Sequence, residues 1–343
     1  MTAEEGISAR RVFVIAEAGV NHNGDPALAR ELVRAAAEAG ADAVKFQTFD
    51  PDALVATGTR TAAYQQDATG LDDQREMLRA LVLPPEKVED LARYSSELDI
   101  EFLSTPFDAG SAAQLASMGV RRMKVGSGDV TNIPLLRQIA GYGLPVILST
   151  GMAEIDEIDE AVEALSPVRD RLTVLHCVSA YPTPIGQANL LAIRTLQERY
   201  GDIVGYSDHT MGQDAALASV ALGAVAIEKH MTLDRAMPGP DHKASLEPQD
   251  FAAMVRGIRE VSAALGPGGK ILQPDEIETR TVARRGLKLK RDLPAGHVLT
   301  ADDIAVLRPE TGLRPRHFDE VLGRILKRGG SAGVPVEWDD LEG

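Results

Sequence analysis

The sequence predicts an α/β protein: a (β/α)8 TIM barrel followed by a small β-rich domain. A unit repeats eight times along the chain, with a short run of β-branched residues, a polar or glycine-containing loop and an amphipathic helical pattern. Such alternation is typical of right-handed βαβ units, and eight units in about 265 residues match a TIM barrel. Aromatic residues make up only 4 % of the chain. Aliphatic side chains must therefore fill the core, as in a parallel sheet that is buried on both faces.

Eight candidate strands define the repeat, at residues 12–18, 41–47, 100–106, 121–127, 145–150, 171–177, 202–208 and 224–230. Helical patterns fill most of the intervals between them. Residues 27–39 and 111–118 are rich in helix formers, and each stretch ends at a glycine, which indicates a helix end. Pro84 and Pro85 indicate the start of a helix that runs to Leu98. An open, doubly wound sheet is the alternative fold, but no G-x-G-x-x-G motif follows the first strand, which disfavours it.

The regular repeat ends in a segment rich in glycine and proline, Gly266 to Pro274. We therefore predict a barrel domain over residues 1–265, a linker over 266–282 and a small β-rich domain over 283–343. A domain of about 60 residues is marginally stable alone, so we expect it to dock on the barrel or on a partner subunit. The loop at residues 48–83 is unusually long, and both a lid over the binding site and a solvated insertion fit its composition.

Composition excludes several classes of function. The net charge of −15 disfavours binding to nucleic acid or to an anionic membrane. The single cysteine, Cys177, cannot form an internal disulfide, which fits a reducing compartment. The sequence shows neither a signal-peptide pattern nor an apolar run long enough to span a bilayer. We therefore expect a cytoplasmic protein.

Polar residues occur at the carboxyl end of nearly every candidate strand. They are Glu17; Lys45 and Gln47; Ser104 and Thr105; Lys124, Ser127 and Asp129; Ser149 and Thr150; Ser179 and Tyr181; Asp208 and His209; and Glu228, Lys229 and His230. A TIM barrel carries its active site at this rim. A purely structural barrel would continue its aliphatic pattern to the strand ends, so the convergence predicts an enzyme.

Two histidines are the most informative residues at this rim. His209 and His230 end two successive strands, so their imidazoles would emerge side by side in a parallel barrel. Two converging imidazoles form a natural site for a divalent metal ion. His22 lies in a turn rich in Gly and Asn, where it fits either a metal ligand or a local hydrogen-bonding role.

Two lysines, Lys45 and Lys124, lie in otherwise apolar strands. Each fits a compact cation that binds phosphate or carboxylate, a Schiff-base nucleophile, or a structural partner of a carboxylate. Together with three hydroxyls at the same rim they favour an anion-binding cradle. These hydroxyls belong to Thr105, Ser127 and Ser149.

Two carboxylates are candidates for proton transfer or substrate contact. Glu17 ends the first strand and fits a general acid or base, with structural pairing to a lysine as the alternative. Asp241 follows a Pro- and Gly-rich loop that would hold it over the rim, although a simple turn aspartate fits as well. Cys177 has no evident activating partner in the sequence, and His176 fits a buried core histidine.

The order of these motifs resembles the sialic acid synthase family, in particular its bacterial N-acetylneuraminate synthase type. The matching segments are Ile15–Gly24, Ala43–Gln47, Ser104–Phe107, Lys124–Asp129, Ile147–Met152, Ser179–Pro184, Gly205–His209, Glu228–His230 and Gly239–Ser245. They cover the whole predicted barrel in order. The end of the chain, from about residue 283 to 341, is similar to the antifreeze-protein-like SAF domain that ends these synthases.

The resemblance implies a condensation of phosphoenolpyruvate with open-chain N-acetylmannosamine, which gives N-acetylneuraminate and phosphate by C–O cleavage. It implies a divalent metal ion, Mn²⁺ or Mg²⁺, on His209 and His230. It assigns contacts with phosphoenolpyruvate or the sugar to Lys45, Gln47, Thr105, Lys124, Ser127, Ser149, Ser179 and Tyr181. It further assigns catalytic contacts with the sugar or the attacking water to Glu17, Asp129 and Asp241. Arg308 would reach into the barrel of the partner subunit, which implies a domain-swapped homodimer.

Three alternatives stay open at this point. Within the family, the sugar could instead be a precursor of legionaminic acid, of pseudaminic acid or of a spore-coat saccharide. These sugars differ at C-6 and at the N-acyl groups, and the sequence motifs do not distinguish between them. Outside the family, the rim residues fit a Schiff-base aldolase that uses Lys45 or Lys124. The third alternative is a non-catalytic carbohydrate-binding protein.

Overall fold

The computed structural model describes residues 11–342, apart from the side chains of residues 63, 64 and 67. The described chain divides into two compact units, of which the first ends at Gly266 and the second begins at Pro267. Each unit has its own hydrophobic core. Among the described residues, no helix is both long and apolar enough to cross a bilayer.

The first unit contains eight parallel strands. They are β1 Phe13–Gly19, β2 Ala43–Thr48, β3 Glu101–Pro106, β4 Met123–Val125, β5 Val146–Ser149, β6 Leu172–Cys177, β7 Val204–Asp208 and β8 Ala226–His230. Their order in the sheet is β3-β2-β1-β8-β7-β6-β5-β4, and β3 and β4 lie next to each other, so that the barrel is nearly closed. The TIM barrel is therefore confirmed, and the open, doubly wound sheet is wrong.

Helices follow the strands around the outside of the barrel. They are α1 Pro26–Glu38, α2 Pro51–Leu54, α3 Ala63–Thr69, α4 Gln74–Arg79, α5 Pro85–Glu97, α6 Ala109–Ser117, α7 Ile133–Gly141, α8 Ile155–Ala164, α9 Ala192–Tyr200, α10 Asp214–Ala221 and α11 Pro248–Leu265. Local sequence sets their starts. The Asp25 side chain accepts a hydrogen bond from the Ala27 backbone N–H, and Pro26 occupies the first turn of α1. Asp108 caps α6 in the same way, through the N–H of Ser111.

The interior of the barrel changes from apolar to polar along the strands. An apolar layer is formed by Ile15, Ala43, Leu103, Ile147, Leu175 and Ala226. Side chains two residues apart share one face of a strand, so the next layer toward the carboxyl ends faces the same interior. That layer contains Glu17, Lys45, Thr105, Ser149, Cys177 and Glu228, all of them buried. The alternation of the strands therefore carries a ring of polar groups to one end of the barrel.

The long segment between β2 and α5 contains the three short helices α2, α3 and α4. Met77 and Leu81 of this segment pack with Val20 and Phe49 in a separate apolar cluster. The segment is therefore anchored by its own small core beside the first two strands.

The second unit contains α12 Glu276–Ala283, β9 Gly286–Leu289, β10 Ile304–Leu307, α13 Phe318–Val321, β11 Ile325–Leu326 and β12 Leu341–Glu342. Two antiparallel pairs, β9 with β10 and β11 with β12, confirm the β-rich character predicted for this region. Leu287, Leu299 and Val321 belong to its core. Helix α12 falls largely within the segment that we predicted as a linker.

Candidate active site

A cavity of 510 Å³ lies at the carboxyl ends of the strands. It brings together Glu17, Lys45, Gln47, Thr105, Lys124, Ser127, Ser149, Ser179, Tyr181, His209, His230 and Asp241. Residues from all eight strands or the loops that follow them thus converge, although they are up to 224 positions apart in the sequence.

Two lysines and two glutamates form a buried ion network at the floor of the cavity. Lys45 Nζ lies 3.0 Å from Glu17 Oε2 and 3.5 Å from Glu228 Oε2. Lys124 Nζ lies 3.7 Å from Glu228 Oε1 and donates a 2.6 Å hydrogen bond to Ser149 Oγ. Lys45 Nζ also donates to Thr105 Oγ1 at 3.1 Å. The network places two ammonium groups and two hydroxyls side by side, which suits a multiply charged anion.

The two glutamates of this network differ in acidity. Burial raises the pKa of Glu17 to about 7, against the opposing effect of Lys45. Burial also acts on Glu228, but Lys124 and Lys45 outweigh it and lower its pKa to about 2. Glu17 is therefore poised to exchange a proton near neutral pH, whereas Glu228 stays ionised.

The two lysines differ as well. Burial lowers the pKa of Lys124 to about 8. For Lys45 the effect of burial is outweighed by Glu17 and Glu228, so that its pKa is raised. A Schiff-base nucleophile needs a neutral amine, and the environment of Lys45 opposes that form.

The two histidines lie close together at the edge of the same cavity. The ring centroids of His209 and His230 are 5.3 Å apart. Imidazole rings that share one ion have centroids within about 6 Å of each other, because the metal–nitrogen bond is about 2.1 Å long. The observed separation therefore fits a shared divalent ion.

The hydrogen bonds of the histidines agree with this assignment. His209 Nδ1 donates to the Val178 carbonyl at 2.9 Å, which leaves the lone pair on Nε2. His230 Nδ1 is buried without a hydrogen-bond partner, 4.0 Å from Asp241 Oδ2. Burial lowers the pKa of His230 well below its usual value, and the charge of Lys45 acts in the same direction, so its ring is neutral. Within the described residues, no cluster of three or more His, Cys, Asp or Glu side chains is arranged to hold a metal ion, so the fit of an ion here depends on the two imidazoles alone.

Aromatic and acidic groups surround the histidines. The Tyr181 ring centroid lies 4.2 Å from that of His209 and 5.8 Å from that of His230. Burial raises the pKa of Asp241 to about 6, although His209 and Lys45 act in the opposite direction. Asp241 is thus a second group that can carry a proton near neutral pH.

The long segment between β2 and α5 forms one wall of the cavity. Its contribution includes Gln65, Gln74, Met77, Leu78 and Leu81. These residues favour the prediction of a binding element over that of a solvated insertion.

Two predicted site residues lie elsewhere. Asp129 is buried next to the cavity but does not line it, and its carboxylate accepts a 2.9 Å hydrogen bond from the Asn132 side chain. Arg308 is an exposed residue of the second unit, and its predicted role in a partner's site stays a prediction.

Two residues of the site carried no role in the sequence analysis. Glu228 lies two residues before His230, and strand alternation could have indicated that both face the interior. Cys177 also lines the cavity, with Sγ 3.8 Å from His209 Nδ1. No local sequence signal relates Cys177 to His209, because the contact arises from the pairing of the neighbouring strands β6 and β7.

Two family models match the chain: the NeuB family at residues 32–270 and the SAF domain at residues 284–342. The N,N'-diacetyllegionaminic acid synthase of Legionella pneumophila is 43 % identical over 98 % of this chain and 96 % of its own length. The synthase of the same name from Campylobacter jejuni is 41 % identical over 93 % of this chain and 97 % of its own. The solved structure of N-acetylneuraminic acid (sialic acid) synthetase from Leptospira borgpetersenii is 36 % identical. It covers 79 % of this chain and 91 % of its own, with a TM-score of 0.72.

Proposed function

The chain belongs to the NeuB family and ends in a SAF domain, and from this premise we propose that it condenses phosphoenolpyruvate with an N-acyl amino sugar. The observation that carries the proposal is the pairing of a buried cationic cradle with two imidazoles in one cavity. Phosphoenolpyruvate carries a phosphate and a carboxylate, and the cradle offers Lys45, Lys124 and hydroxyl groups to both. In a chain of charge −15, Lys45 and Lys124 give this cavity the positive groups that an anion needs, although Glu17 and Glu228 lie beside them.

His209 and His230 would hold a divalent ion, Mn²⁺ or Mg²⁺. When bound, such an ion supplies Lewis-acid polarisation of the sugar's aldehyde oxygen. Asp241, whose pKa is about 6, is placed beside His230 to give a proton to that oxygen as it becomes a hydroxyl.

The remaining chemistry concerns the carbon atoms of phosphoenolpyruvate. Its C3 attacks the aldehyde carbon, and the C2 that becomes electron-deficient takes up water. Glu17, with a pKa of about 7, is placed to accept the proton of this water. The resulting hemiketal phosphate loses phosphate by C–O cleavage. Lys45 and Lys124 hold the phosphate and stabilise its charge as it leaves.

Isotope labelling tests the reaction class. Phosphoenolpyruvate labelled with ¹⁸O at the bridging oxygen should release labelled phosphate, because the C–O bond breaks. Unlabelled phosphate would rule out this mechanism. Borohydride treatment in the presence of substrate should leave the protein unmodified, whereas a trapped lysine adduct would support a Schiff-base aldolase. Release of no phosphate from any substrate would favour a non-catalytic carbohydrate-binding protein.

The metal requirement has its own test. Chelation should abolish turnover, and added Mn²⁺ should restore it. Direct titration of the chelated protein with Mn²⁺ should give one ion per chain, and replacing His209 by Ala should remove this binding. Full activity of a verified metal-free protein would contradict the proposed role of the two histidines.

For the sugar, the comparisons support the alternative of a legionaminic acid precursor better than N-acetylmannosamine. Two N,N'-diacetyllegionaminic acid synthases are 43 % and 41 % identical to this chain, above the 36 % of the sialic acid synthetase. We therefore propose a six-carbon sugar with two N-acetyl groups, the precursor of legionaminic acid. Met77, Leu78 and Leu81 give the cavity an apolar wall, which suits an additional acetyl methyl group better than a hydroxyl.

A panel of three sugars tests this choice by phosphate release. The panel contains N-acetylmannosamine and the diacetamido hexoses that lead to legionaminic acid and to pseudaminic acid. The precursor of legionaminic acid should give the highest kcat/KM. An equal or higher kcat/KM with N-acetylmannosamine would return the assignment to N-acetylneuraminate synthesis. Because all three arms measure the same phosphate, the panel separates the identity of the sugar from the reaction class.

We also propose the domain-swapped homodimer, in which Arg308 completes the site of the partner subunit. Residues 267–343 contain as many Lys and Arg as Asp and Glu, so the charge of −15 belongs to residues 1–266. An arginine delivered from the neutral domain would add positive charge to a site within an acidic domain. Mixing the inactive variants Arg308→Ala and Lys45→Met should restore about a quarter of the activity if the sites are shared between subunits. No recovery after verified subunit exchange would contradict the swap.

A further inference from the structure

A second buried ion pair lies on the outer face of the two strands that carry the histidines. Lys229 Nζ lies 2.8 Å from Asp208 Oδ2, and both side chains are fully buried. Asp208 directly precedes His209, and Lys229 directly precedes His230. The mechanism proposed above uses neither member of this pair.

The register of β7 and β8 explains the geometry. Asp208 and Lys229 are direct partners in this parallel ladder, as are Ser207 and Glu228. Successive side chains point to opposite faces of a strand, so Asp208 and Lys229 face outward while the two histidines face the cavity. The ion pair thus joins the two strand ends one residue before each imidazole.

The pair also fixes the backbone just beyond His209. The Thr210 N–H donates a 2.8 Å hydrogen bond to Asp208 Oδ1, and Lys229 Nζ donates to the Thr210 carbonyl. The Tyr206 hydroxyl donates to the same Asp208 oxygen at 3.3 Å. His209 is therefore held on both sides by contacts that converge on one carboxylate and one ammonium.

We infer that the Asp208–Lys229 pair is a positioning device that sets the separation of the His209 and His230 rings. The inference rests on the metal site of the proposed function, where a 5.3 Å ring separation fits one shared ion. A shift of the strand ends by a fraction of an ångström would separate the two donor nitrogens, and groups that orient metal ligands are typically worth about 10–100-fold in metal affinity.

The chain offers a matched control at the other end of the barrel. Arg122 and Glu101 form a buried ion pair there, with Arg122 Nε 2.6 Å from Glu101 Oε1. Replacing Lys229 or Arg122 by Met removes one cation from a buried pair in each case. A purely structural role of Lys229 predicts that the two variants behave alike toward metal.

The experiment measures Mn²⁺ binding and ring separation for Lys229→Met, Arg122→Met and the unmodified chain. We expect Lys229→Met to raise the dissociation constant for Mn²⁺ by about 10–100-fold. Arg122→Met should leave this dissociation constant unchanged. Crystal structures of the metal-free proteins should show the two rings displaced only in Lys229→Met. Activity of Lys229→Met should recover at high Mn²⁺, with an unchanged KM for phosphoenolpyruvate. An unchanged ring separation and Mn²⁺ affinity in Lys229→Met would overturn the inference.

A second pair of variants covers the case in which Lys229→Met does not fold. Asp208→Asn keeps one acceptor oxygen, which can hold either the Thr210 N–H or Lys229 Nζ, whereas Asp208→Ala removes both acceptors. The Mn²⁺ affinity of the Asn variant should therefore lie between those of the unmodified protein and the Ala variant, and equal affinities of all three would overturn the inference. If the unmodified protein binds no Mn²⁺, the proposed metal site fails, and the ring separation in the variants still decides the role of the pair.

Discussion

Both ends of the barrel contain buried charged groups, but the hydrogen bonding of these groups differs between the two ends. At the amino-terminal end, Arg122 and Glu101 form a bidentate ion pair, with Nε donating to Oε1 at 2.6 Å and Nη2 donating to Oε2 at 3.1 Å. Asp42 at the same end is bound by Arg11 and Arg259 at 2.8 and 2.6 Å. At the carboxyl end, Glu17 Oε2, Glu228 Oε2 and His230 Nδ1 are buried without a hydrogen bond of good geometry.

This difference indicates that the buried groups at the carboxyl end contribute less to the folding free energy than those at the amino-terminal end. A buried polar atom without a hydrogen bond costs about 1–3 kcal/mol, and the ion pairs with Lys45 offset part of this cost for Glu17 and Glu228, so a ligand that completes these groups would stabilise the cavity. A larger cavity of 810 Å³ lies at the amino-terminal end, where Asp42 and Glu101 are among its lining residues. Size alone would point to that end. The unsatisfied atoms point to the smaller cavity of 510 Å³, and four predictions test this distinction.

The largest expected effect is on activity. Lys45→Met removes the cation that lies between Glu17 and Glu228, and kcat/KM should fall by about 10³-fold in a phosphate-release assay. The Arg122→Met control should stay within about threefold, because the opposite end of the barrel takes no part in the reaction. A loss of less than about tenfold in Lys45→Met would mean that the carboxyl-end charges are structural, as at the other end.

The next effect is on stability. Arg122→Met leaves Glu101 buried without its cation between β3 and β4, where the barrel has no strand ladder. The free energy of unfolding should fall by about 3 kcal/mol, measured by urea denaturation. The exposed neighbour Arg121 provides the control, since Arg121→Met should change it by less than about 0.5 kcal/mol. Equal effects of the two variants would show that the buried pair is not a stability element.

The third effect is stabilisation by a ligand. Phosphoenolpyruvate at 100 times its Kd should raise the free energy of unfolding by about 2.7 kcal/mol. Thermal unfolding with and without the ligand measures this gain. Lys124→Met should lose the gain at the same ligand concentration, and Arg122→Met should keep it. If Lys124→Met retained the full shift, Lys124 would not belong to the anion cradle.

The smallest effect is a pH dependence. Burial lowers the pKa of Lys124 to about 8, so a rise in pH above this value removes its charge from the free protein. The kcat/KM for phosphoenolpyruvate should therefore fall about tenfold per pH unit above about 8. Arginine stays charged in this range, so Lys124→Arg should lack the decline if it retains measurable activity. A flat profile of the unmodified protein up to pH 9.5 would contradict the role of Lys124.

The local pattern of the sequence was sufficient to predict the eight strands and most of the polar residues at their carboxyl ends. Short runs of β-branched residues bounded by glycine indicate strands, because the spacing of apolar residues within a strand can be read from that strand's own sequence. The same rule places Lys45, Thr105 and His230 at strand ends, and the barrel then makes those ends converge. Asp129 shows the limit of this rule, because a short 3-10 helix after β4 turns its carboxylate toward Asn132.

By itself, the sequence determined the TIM barrel, the β-rich character of the second domain and most of the residues that reach the carboxyl rim. Only the tertiary structure decided that Glu228 lies between two lysines, that Cys177 approaches His209, and that Met77 helps to form the cavity wall. The physical reason is that a strand's own residues set which face each side chain occupies. Its neighbours across the sheet depend on the register between strands and on closure of the barrel, which involve residues far apart in the chain.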